Sequence, residues 1–97
     1  MNITHHFGAG VYIKETEFAE GETVPMHEHV HTHQSVLCQG VARLEVDGKP
    51  QFIRGPCVLT IEAGHRHSVQ AVTRIVWLCI HATDETDAER IDSTLVG

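Results

Sequence analysis

Apolar and polar residues alternate along most of this chain, in short runs separated by turn residues about every 8–12 positions. Side chains two residues apart on a strand point to the same face, so alternation is typical of a half-buried antiparallel strand. The clearest run is residues 41–46, in which Ala42, Leu44 and Val46 share one face while Val41, Arg43 and Glu45 share the other. The pattern predicts an all-β fold, either a sandwich or a barrel.

The predicted strands cover residues 11–18, 23–29, 33–39, 41–46, 51–54, 57–62, 67–72 and 74–82. Asp47-Gly48 predicts a tight hairpin, because both residues tolerate the positive φ angles of a two-residue turn. Pro25 cannot donate to a strand ladder, so residues 23–29 are expected at a sheet edge or in an irregular strand. His5 and His6 precede the first clear strand, and a frayed N-terminus is expected there.

The last predicted strand carries the longest apolar run of the chain, which is typical of a strand buried on both faces. Trp77, Cys79 and His81 share one face of this strand with Ile75. If that face points inward, these residues line a pocket and His81 is available as a general acid or base. If it points outward, they contribute to a dimer interface or lie beneath the C-terminal segment. The sequence leaves both orientations open.

The C-terminal segment is acidic and changes the periodicity of the chain. Thr86-x-x-Glu89 matches a capping box, the pattern that begins many helices. We therefore predict a short helix at about residues 86–94, with Ile91 and Leu95 packed on the barrel. The expected organisation is one domain over residues 1–97, with a barrel at about residues 10–82.

Composition narrows the classes of partner. Apolar residues make up 41% of the 97 residues, and the net charge is −6 with neutral histidines. An acidic chain without a lysine or arginine cluster argues against nucleic acids and membranes as partners. No apolar run approaches the length of about 18 residues that spans a bilayer, and the N-terminus does not resemble a signal peptide. A cytoplasmic location is expected, with Cys38, Cys57 and Cys79 as free thiols.

The most unusual stretch holds four of the nine histidines, His27, His29, His31 and His33, at every second position. Residues two apart on a strand lie about 6.6 Å apart, and residues six apart about 20 Å. Bonds from a metal ion to imidazole nitrogen are only about 2.0–2.1 Å long. His27 and His33 can therefore share an ion only if the chain turns between His29 and His33.

The spacing of glycines and histidines here resembles the first motif of the cupin superfamily, G-x5-H-x-H-x3-4-E-x6-G. Gly21, His27, His29 and Gly40 occupy its positions, and His33 stands where the family has glutamate. The second motif, G-x5-P-x-G-x2-H-x3-N, is matched in part.

In that second motif, Gly64 and His67 keep their relative places. Glu62 replaces the proline, Ala71 replaces the asparagine, and the gap after Gly55 is one residue longer.

The resemblance implies a cupin-type jelly-roll barrel with a metal near one mouth, held by His27, His29, His33 and His67. It also implies a homodimer paired through sheet edges. The stretches 27–35, 59–64 and 76–84 are similar to those of very small cupins from bacteriophage and prophage genomes. That likeness implies a location in the host cytoplasm.

An all-imidazole ligand set fits iron, manganese, zinc, nickel or copper without distinguishing them. Four ligands around an octahedral ion leave two positions open, and neutral ligands favour an anionic oxygen donor there. We therefore expect a metal-dependent enzyme acting on a small oxygenated molecule, by dioxygenase-type or isomerase/lyase chemistry, with His81 or Glu62 as acid or base.

The alternative is a non-catalytic small-ligand-binding or sensing module. A purely structural role is disfavoured, because a scaffold does not require four spaced ligands. His31 is expected in a solvent-facing loop, with a role at the metal as its alternative. His65 is expected at the barrel rim, because its strand parity is opposite to that of His67.

Overall fold

The computed structural model describes residues 1–27 and 31–87, except for the side chains of residues 25–27. The described residues form strands joined by turns and irregular segments, and they contain no helix. The strands are β1 (Asn2–Gly8), β2 (Val11–Phe18), β3 (Thr23–His27), β4 (His33–Gln39), β5 (Val41–Val46), β6 (Lys49–Arg54), β7 (Cys57–Ile61), β8 (His67–Ala71) and β9 (Ile75–Ala82). The all-β prediction is confirmed.

Two antiparallel sheets make up the fold. One has the strand order β1-β2-β9-β4-β7 and the other has the order β3-β8-β5-β6. Most consecutive strands lie in different sheets, so the chain passes repeatedly from one sheet to the other. This connectivity produces a jelly roll, in which the inner faces of both sheets bury one core.

The core lies between the sheets and follows the alternation read from the sequence. Its buried members are Phe18, Leu37, Ala42, Leu44, Val69, Ala71, Ile75 and Trp77. Ala42 and Leu44 point inward from β5 as predicted, and the register pairs Leu37 of β4 with Trp77 of β9.

β9 lies at the centre of its sheet between β2 and β4, which explains its long apolar run. Ile75 and Trp77 are buried on its inner face, while Val76 and Leu78 on the other face are half-buried.

The expectation of a frayed N-terminus is wrong. Residues Asn2 to Gly8 form β1, and all seven of them pair with β2. The turn between the two strands uses positive φ angles at Gly8, Ala9 and Gly10. β1 was not predicted because five of its seven residues are polar or glycine, which leaves little alternation of apolar and polar positions.

The turn and edge predictions agree with the structure in detail. Asp47 and Gly48 both have positive φ, as a type I′ hairpin turn requires, and β6 returns from the turn at Lys49. β3, which contains Pro25, is an edge strand with an irregular register.

The predicted C-terminal helix lies almost wholly outside the described residues, and residues 86 and 87 are not helical. The described part of the chain also contains no helix long and apolar enough to cross a membrane.

Gly40 has a steric role that supports its place in the motif. Its φ is +89°, and a Cβ atom there would overlap the Arg74 carbonyl oxygen and lie 2.8 Å from side-chain atoms of Ile75 and Thr73. Gly21 has a similar φ of +86°, but a Cβ atom there would meet nothing within 4 Å. A side chain at Gly21 would therefore meet only the unfavourable φ angle, whereas one at Gly40 would meet the φ angle and steric overlap together.

We predict that Gly40→Ala lowers the free energy of unfolding by about 3 kcal/mol or more, since it adds overlap with a fixed carbonyl to an unfavourable φ. Gly21→Ala should cost only about 1–2 kcal/mol, because it carries the φ penalty alone. Urea denaturation of the two variants measures both values. Equal losses would contradict the steric role of Gly40.

Candidate functional site

Three of the four histidines predicted as metal ligands, His27, His33 and His67, stand at the ends of strands. β3 ends at His27, β4 begins at His33 and β8 begins at His67. The register of the β3–β8 pair places His27 directly opposite His67. β3 and β4 belong to different sheets, and the described backbone brings these three positions to the same mouth of the barrel.

His33 and His81 form a close pair on the five-stranded sheet. The register that pairs Gln34 with Ile80 puts His33 opposite His81 on the neighbouring strand. Their ring centroids are 4.4 Å apart, and the two residues are only 5% and 8% exposed. The orientation of β9, which the sequence left open, is therefore the inward one.

An aromatic row continues from His81 toward the sheet edge. Tyr12 is opposite His81 in the register, with ring centroids 6.1 Å apart. Tyr12 is 1% exposed, and its hydroxyl lies 2.6 Å from Nδ1 of His5 on β1. Phe7 stacks on the same tyrosine at 5.1 Å. β1 thus closes the outer end of a row that leads to His33.

His67 lies on the opposite sheet and is 5% exposed. Its Nδ1 is 3.4 Å from the carbonyl oxygen of His65, which can accept a long hydrogen bond from the ring N–H. A proton on Nδ1 leaves Nε2 as the atom with a lone pair for a metal ion. A bond of this kind is how ligating histidines are commonly held in one tautomer.

Two of the four predicted ligands are not fully described by the structure. His29 lies outside the described residues, and for His27 only the backbone is described. Among the side chains that the structure describes, no three or more of His, Cys, Asp and Glu come together as a metal site. Any metal site in this protein would therefore need donors from outside the described side chains.

A cavity of about 400 Å³ opens between the sheets beside His67. Its walls are apolar and its rim is polar, with the lining residues Leu44, Val46, Asp47, Lys49, Gln51, Leu59, Thr60, Ile61, Glu62, His65 and His67. Trp77, Cys79 and His81 are not among these lining residues. Trp77 lies in the core, Cys79 packs against it and His81 pairs with His33. An apolar cavity with a few polar groups is typical of a small-molecule site.

Three polar side chains form a cluster at the cavity rim. The His65 ring donates to Asp47 with Nδ1 and Oδ2 2.5 Å apart, and Nε2 lies 3.5 Å from Glu62 Oε2. The hydrogen bond from His65 lowers the pKa of the Asp47 carboxyl. Asp47 and Glu62 are exposed and His65 is half-buried, at the rim where it was predicted.

Sequence reasoning missed Asp47, Lys49 and Gln51 as cavity residues. The signal was available in the Asp47-Gly48 hairpin, which leads directly into β6, but a hairpin turn is usually only a connection.

The prediction that His31 lies in a solvent-facing loop is confirmed, because this residue is exposed in the bend before β4.

Cys79 is half-buried below the histidine pair, where Ser35 Oγ lies 3.7 Å from its sulfur. Burial raises the pKa of the Cys79 thiol, and the contact with Ser35 partly opposes that rise. The three cysteines are free thiols, as expected, although each is half-buried rather than fully buried.

A family model described as the AraC-like ligand binding domain matches residues 9–92, which is most of the chain. The chain belongs to the AraC-like ligand-binding domain family. No curated protein sequence matches this AraC-like domain significantly. The family description suggests binding of a small molecule, which agrees with the cavity beside His67.

Solved structures resemble this AraC-like domain in fold. A cupin superfamily protein from Desulfitobacterium hafniense DCB-2 is 23% identical, with a TM-score of 0.72 over 86% of this chain and 79% of that one. An RmlC-like cupin with a double-stranded β-helix fold from Methanocaldococcus jannaschii is 12% identical, with a TM-score of 0.72 over 86% of this chain and 82% of that one.

A salicylate 1,2-dioxygenase from Pseudaminobacter salicylatoxidans is 11% identical, with a TM-score of 0.70 over 75% of this chain but only 21% of that one. At such identities the likeness concerns the fold alone. The expected cupin-type jelly roll is confirmed.

Proposed function

We propose that this AraC-like domain binds a divalent transition metal through His27, His29, His33 and His67 and acts on a small oxygenated molecule in the adjoining cavity. The observation that carries the proposal is the position of His67. It lies opposite His27 at the mouth of the barrel and also lines the cavity. A ligand in the cavity would therefore be next to the ion.

The donor set fits such an ion. His33 and His67 are both buried, and imidazole suits zinc, copper, iron and nickel. Imidazole is a poorer match for magnesium or calcium, which prefer oxygen donors. Neutral ligands leave the full charge of the ion to be offset by whatever else binds it.

The charges around the cavity suggest how the ligand is oriented. Two carboxylates, Asp47 and Glu62, lie at the rim with one lysine, Lys49. An anionic oxygen is therefore disfavoured at the rim and favoured at the inner end, near His67 and the ion. The apolar walls formed by Leu59 and Ile61 would contact the carbon skeleton.

When bound, the metal would supply Lewis-acid polarisation and a template for the substrate. Two reaction classes are compatible with that role. An isomerase or lyase needs a base, for which His81 and Glu62 are the proposed groups. A dioxygenase needs a redox metal such as iron, manganese or copper. His81 is buried beside His33, whereas the side chain of Glu62 is 70% exposed at the rim.

The second candidate function is non-catalytic ligand binding or sensing. The description of the matched family, an AraC-like ligand binding domain, favours it. The same cavity and histidines would then bind a ligand without turnover. We further propose a homodimer paired through exposed sheet edges, and a phage or prophage origin, from the resemblances noted in the sequence.

Elemental analysis of the purified protein tests the metal. We expect close to one transition-metal ion per chain in the wild type and loss of the ion in His67→Ala. His31→Ala is the matched control, since His31 is an exposed histidine outside the proposed ligand set. A wild-type protein that holds no ion after reconstitution with zinc, iron or copper would refute the metal proposal.

Oxygen uptake, together with analysis of the products, then separates the two candidate functions. The metal-loaded protein is mixed with a β-diketone or a 2-mercaptocarboxylate, each of which offers the ion two donor atoms. Oxygen consumption that His67→Ala abolishes supports the dioxygenase branch. Binding of these compounds without any turnover supports the binding or sensing function.

A further inference from the structure

The open edge of β1 carries an inference that rests on the homodimer proposed above and names its interface. We infer that β1 pairs antiparallel with β1 of a second copy of this chain, so that the two five-stranded sheets join into one continuous sheet. β1 is an edge strand of the larger sheet, and six of its seven residues are exposed. Such an edge presents a row of backbone N–H and C=O groups with which another strand can pair.

The turn between β1 and β2 determines which backbone groups of β1 face the open edge. Ala9 and Gly10 have φ angles of 53° and 75°, as in a type I′ turn, and they join Gly8 to Val11 as a two-residue loop. The pair that closes such a loop is hydrogen-bonded, and hydrogen-bonded pairs alternate along an antiparallel ladder. Every second residue of β1, counted back from Gly8, therefore bonds to β2.

The intervening residues are Ile3, His5 and Phe7, and their N–H and C=O groups point to the open edge. In the part of the chain that the structure describes, these groups form no backbone hydrogen bond outside the strand ladders. Placing His5 opposite His5 of the partner subunit also places Ile3 opposite Phe7 of the partner subunit, and the reverse. All the open N–H and C=O groups of these residues then pair, in an arrangement that obeys two-fold symmetry.

The side chains fit the same register. Ile3 and Phe7 share one face of β1, and Ile3 is 47% exposed. Opposite residues of an antiparallel pair have Cβ atoms about 4.5–5.5 Å apart, so Ile3 would contact Phe7 of the partner subunit in an aliphatic–aromatic pair. At the symmetry axis, His5 is held by Tyr12 of its own chain, whose hydroxyl lies 2.6 Å from His5 Nδ1. This contact draws the imidazole toward β2 and away from the axis.

The other sheet edges of the described chain are less open to pairing than β1. β3 contains Pro25 and an irregular register, and β6 contains Lys49, Pro50 and Arg54. β7 has only five residues. Proline, lysine, irregular register and short length are common ways in which proteins block edge pairing. β1 has seven residues in regular register, without proline, lysine or arginine.

The charges near this edge favour a second copy as its partner. The net charge of the chain is −6, so two copies repel each other over much of their surface. β1 itself contains no Asp or Glu. The two carboxylates of the neighbouring β2, Glu15 and Glu17, lie 3.0 Å from His6 and 3.3 Å from Arg74. Two β1 edges can therefore approach with little repulsion, whereas a basic strand of another protein would meet no carboxylate on β1.

Amide hydrogen exchange measured by NMR tests the interface without any assay of metal or ligand. In the inferred dimer, the amides of Ile3, His5 and Phe7 are protected, as are those of Thr4 and His6. At a free edge only Thr4 and His6 are protected, because they bond to β2. On dilution that dissociates the dimer, we expect exchange at the first three amides to accelerate at least about tenfold while the other two change little.

Ile3→Pro should break the interface and keep the β1–β2 ladder, because the lost N–H faces the open edge. Sedimentation should show a dimer dissociation constant raised at least about a hundredfold. Ile3→Val is the matched control, since it keeps the N–H and a branched apolar side chain, and it should dimerise as the wild type does. Ile3→Lys is a second variant if proline disturbs folding, which the fluorescence of Trp77 reports, because an edge lysine also blocks pairing.

A wild-type protein that is monomeric at about 100 µM would overturn both the inference and the proposed homodimer. A dimer that Ile3→Pro and Ile3→Lys leave intact, with fast exchange at Ile3, His5 and Phe7, would overturn the inference and leave the homodimer to another edge. Protection of these three amides in a species that sediments as a monomer would also overturn it, because another segment of the same chain would then cover the edge. All of these outcomes can be read on metal-free protein, so they are separate from the test of the metal.

Discussion

Leu37→Ala should lower the free energy of unfolding by about 2–5 kcal/mol, a large share of the roughly 5–15 kcal/mol that stabilises a domain of this kind. Leu37 is fully buried between the sheets and lies opposite Trp77 in the register. Removing its side chain takes apolar atoms out of the packed core and leaves a cavity that the rigid strands cannot close.

The single tryptophan makes this loss easy to measure. Trp77 is the only tryptophan of the chain and packs in the same core cluster as Leu37. Its fluorescence in urea therefore reports unfolding of the region that the substitution disturbs. The experiment is best done on metal-free protein, because a bound ion would add its own stabilisation.

Val58→Ala is the control for this substitution. Val58 lies on β7, next to β4, but is 69% exposed. Its truncation should change stability by no more than about 0.5 kcal/mol. If Leu37→Ala and Val58→Ala had equal effects, the two sheets would not bury a common core in the way described.

Most of the fold was predictable from the sequence because jelly-roll strands have one buried face. Alternation in residues 41–46 fixed which side of β5 points inward, and Asp47-Gly48 fixed the turn that follows. β1 was not predictable in the same way. It is the edge strand of the larger sheet and buries little of its own surface, so selection for apolar residues at alternate positions is weak there.

For the candidate site, the sequence supplied expectations about residues but not their arrangement. The resemblance to cupins implied a shared mouth for His27, His33 and His67, and the backbone brings these three positions to one end of the barrel. The partner of His33 was not predictable, because strand parity alone cannot tell which face of β9 is inside. The pairing of β9 with both β2 and β4 decides that question, and pairing between distant segments leaves no local signal.

The cavity could not be predicted from the sequence either. Its walls come from β5 and β7, on different sheets, and its rim comes from the β5–β6 hairpin and the loop after β7. Each of those segments taken alone looks like an ordinary strand or turn. Only their convergence beside His67 makes them a binding site.

Leu59→Trp should abolish small-molecule binding while leaving the metal in place. Leu59 lines the cavity on its β7 wall, so the larger indole would occupy space that the ligand needs. Because protein interiors are packed rigidly, the ligand cannot simply displace the ring. We expect an affinity at least about a hundredfold weaker, equivalent to about 2.7 kcal/mol.

A thermal-shift screen provides the ligands for this test. Hydroxy acids, keto acids, β-diketones and phenols are screened against the metal-loaded wild type, since a ligand that binds only the folded protein raises its melting temperature. Compounds that stabilise the wild type are then titrated against Leu59→Trp by calorimetry. Elemental analysis of the same sample shows whether the metal is retained.

Val58→Trp is the matched control, because it introduces the same indole one residue earlier on the outer face of β7. Val58 is 69% exposed and does not line the cavity, so this variant should bind ligand and metal as the wild type does. Full ligand affinity in Leu59→Trp would place the binding site outside this cavity. If Leu59→Trp lost both metal and ligand while Val58→Trp kept both, the metal site and the cavity would be coupled more tightly than through the shared residue His67 alone.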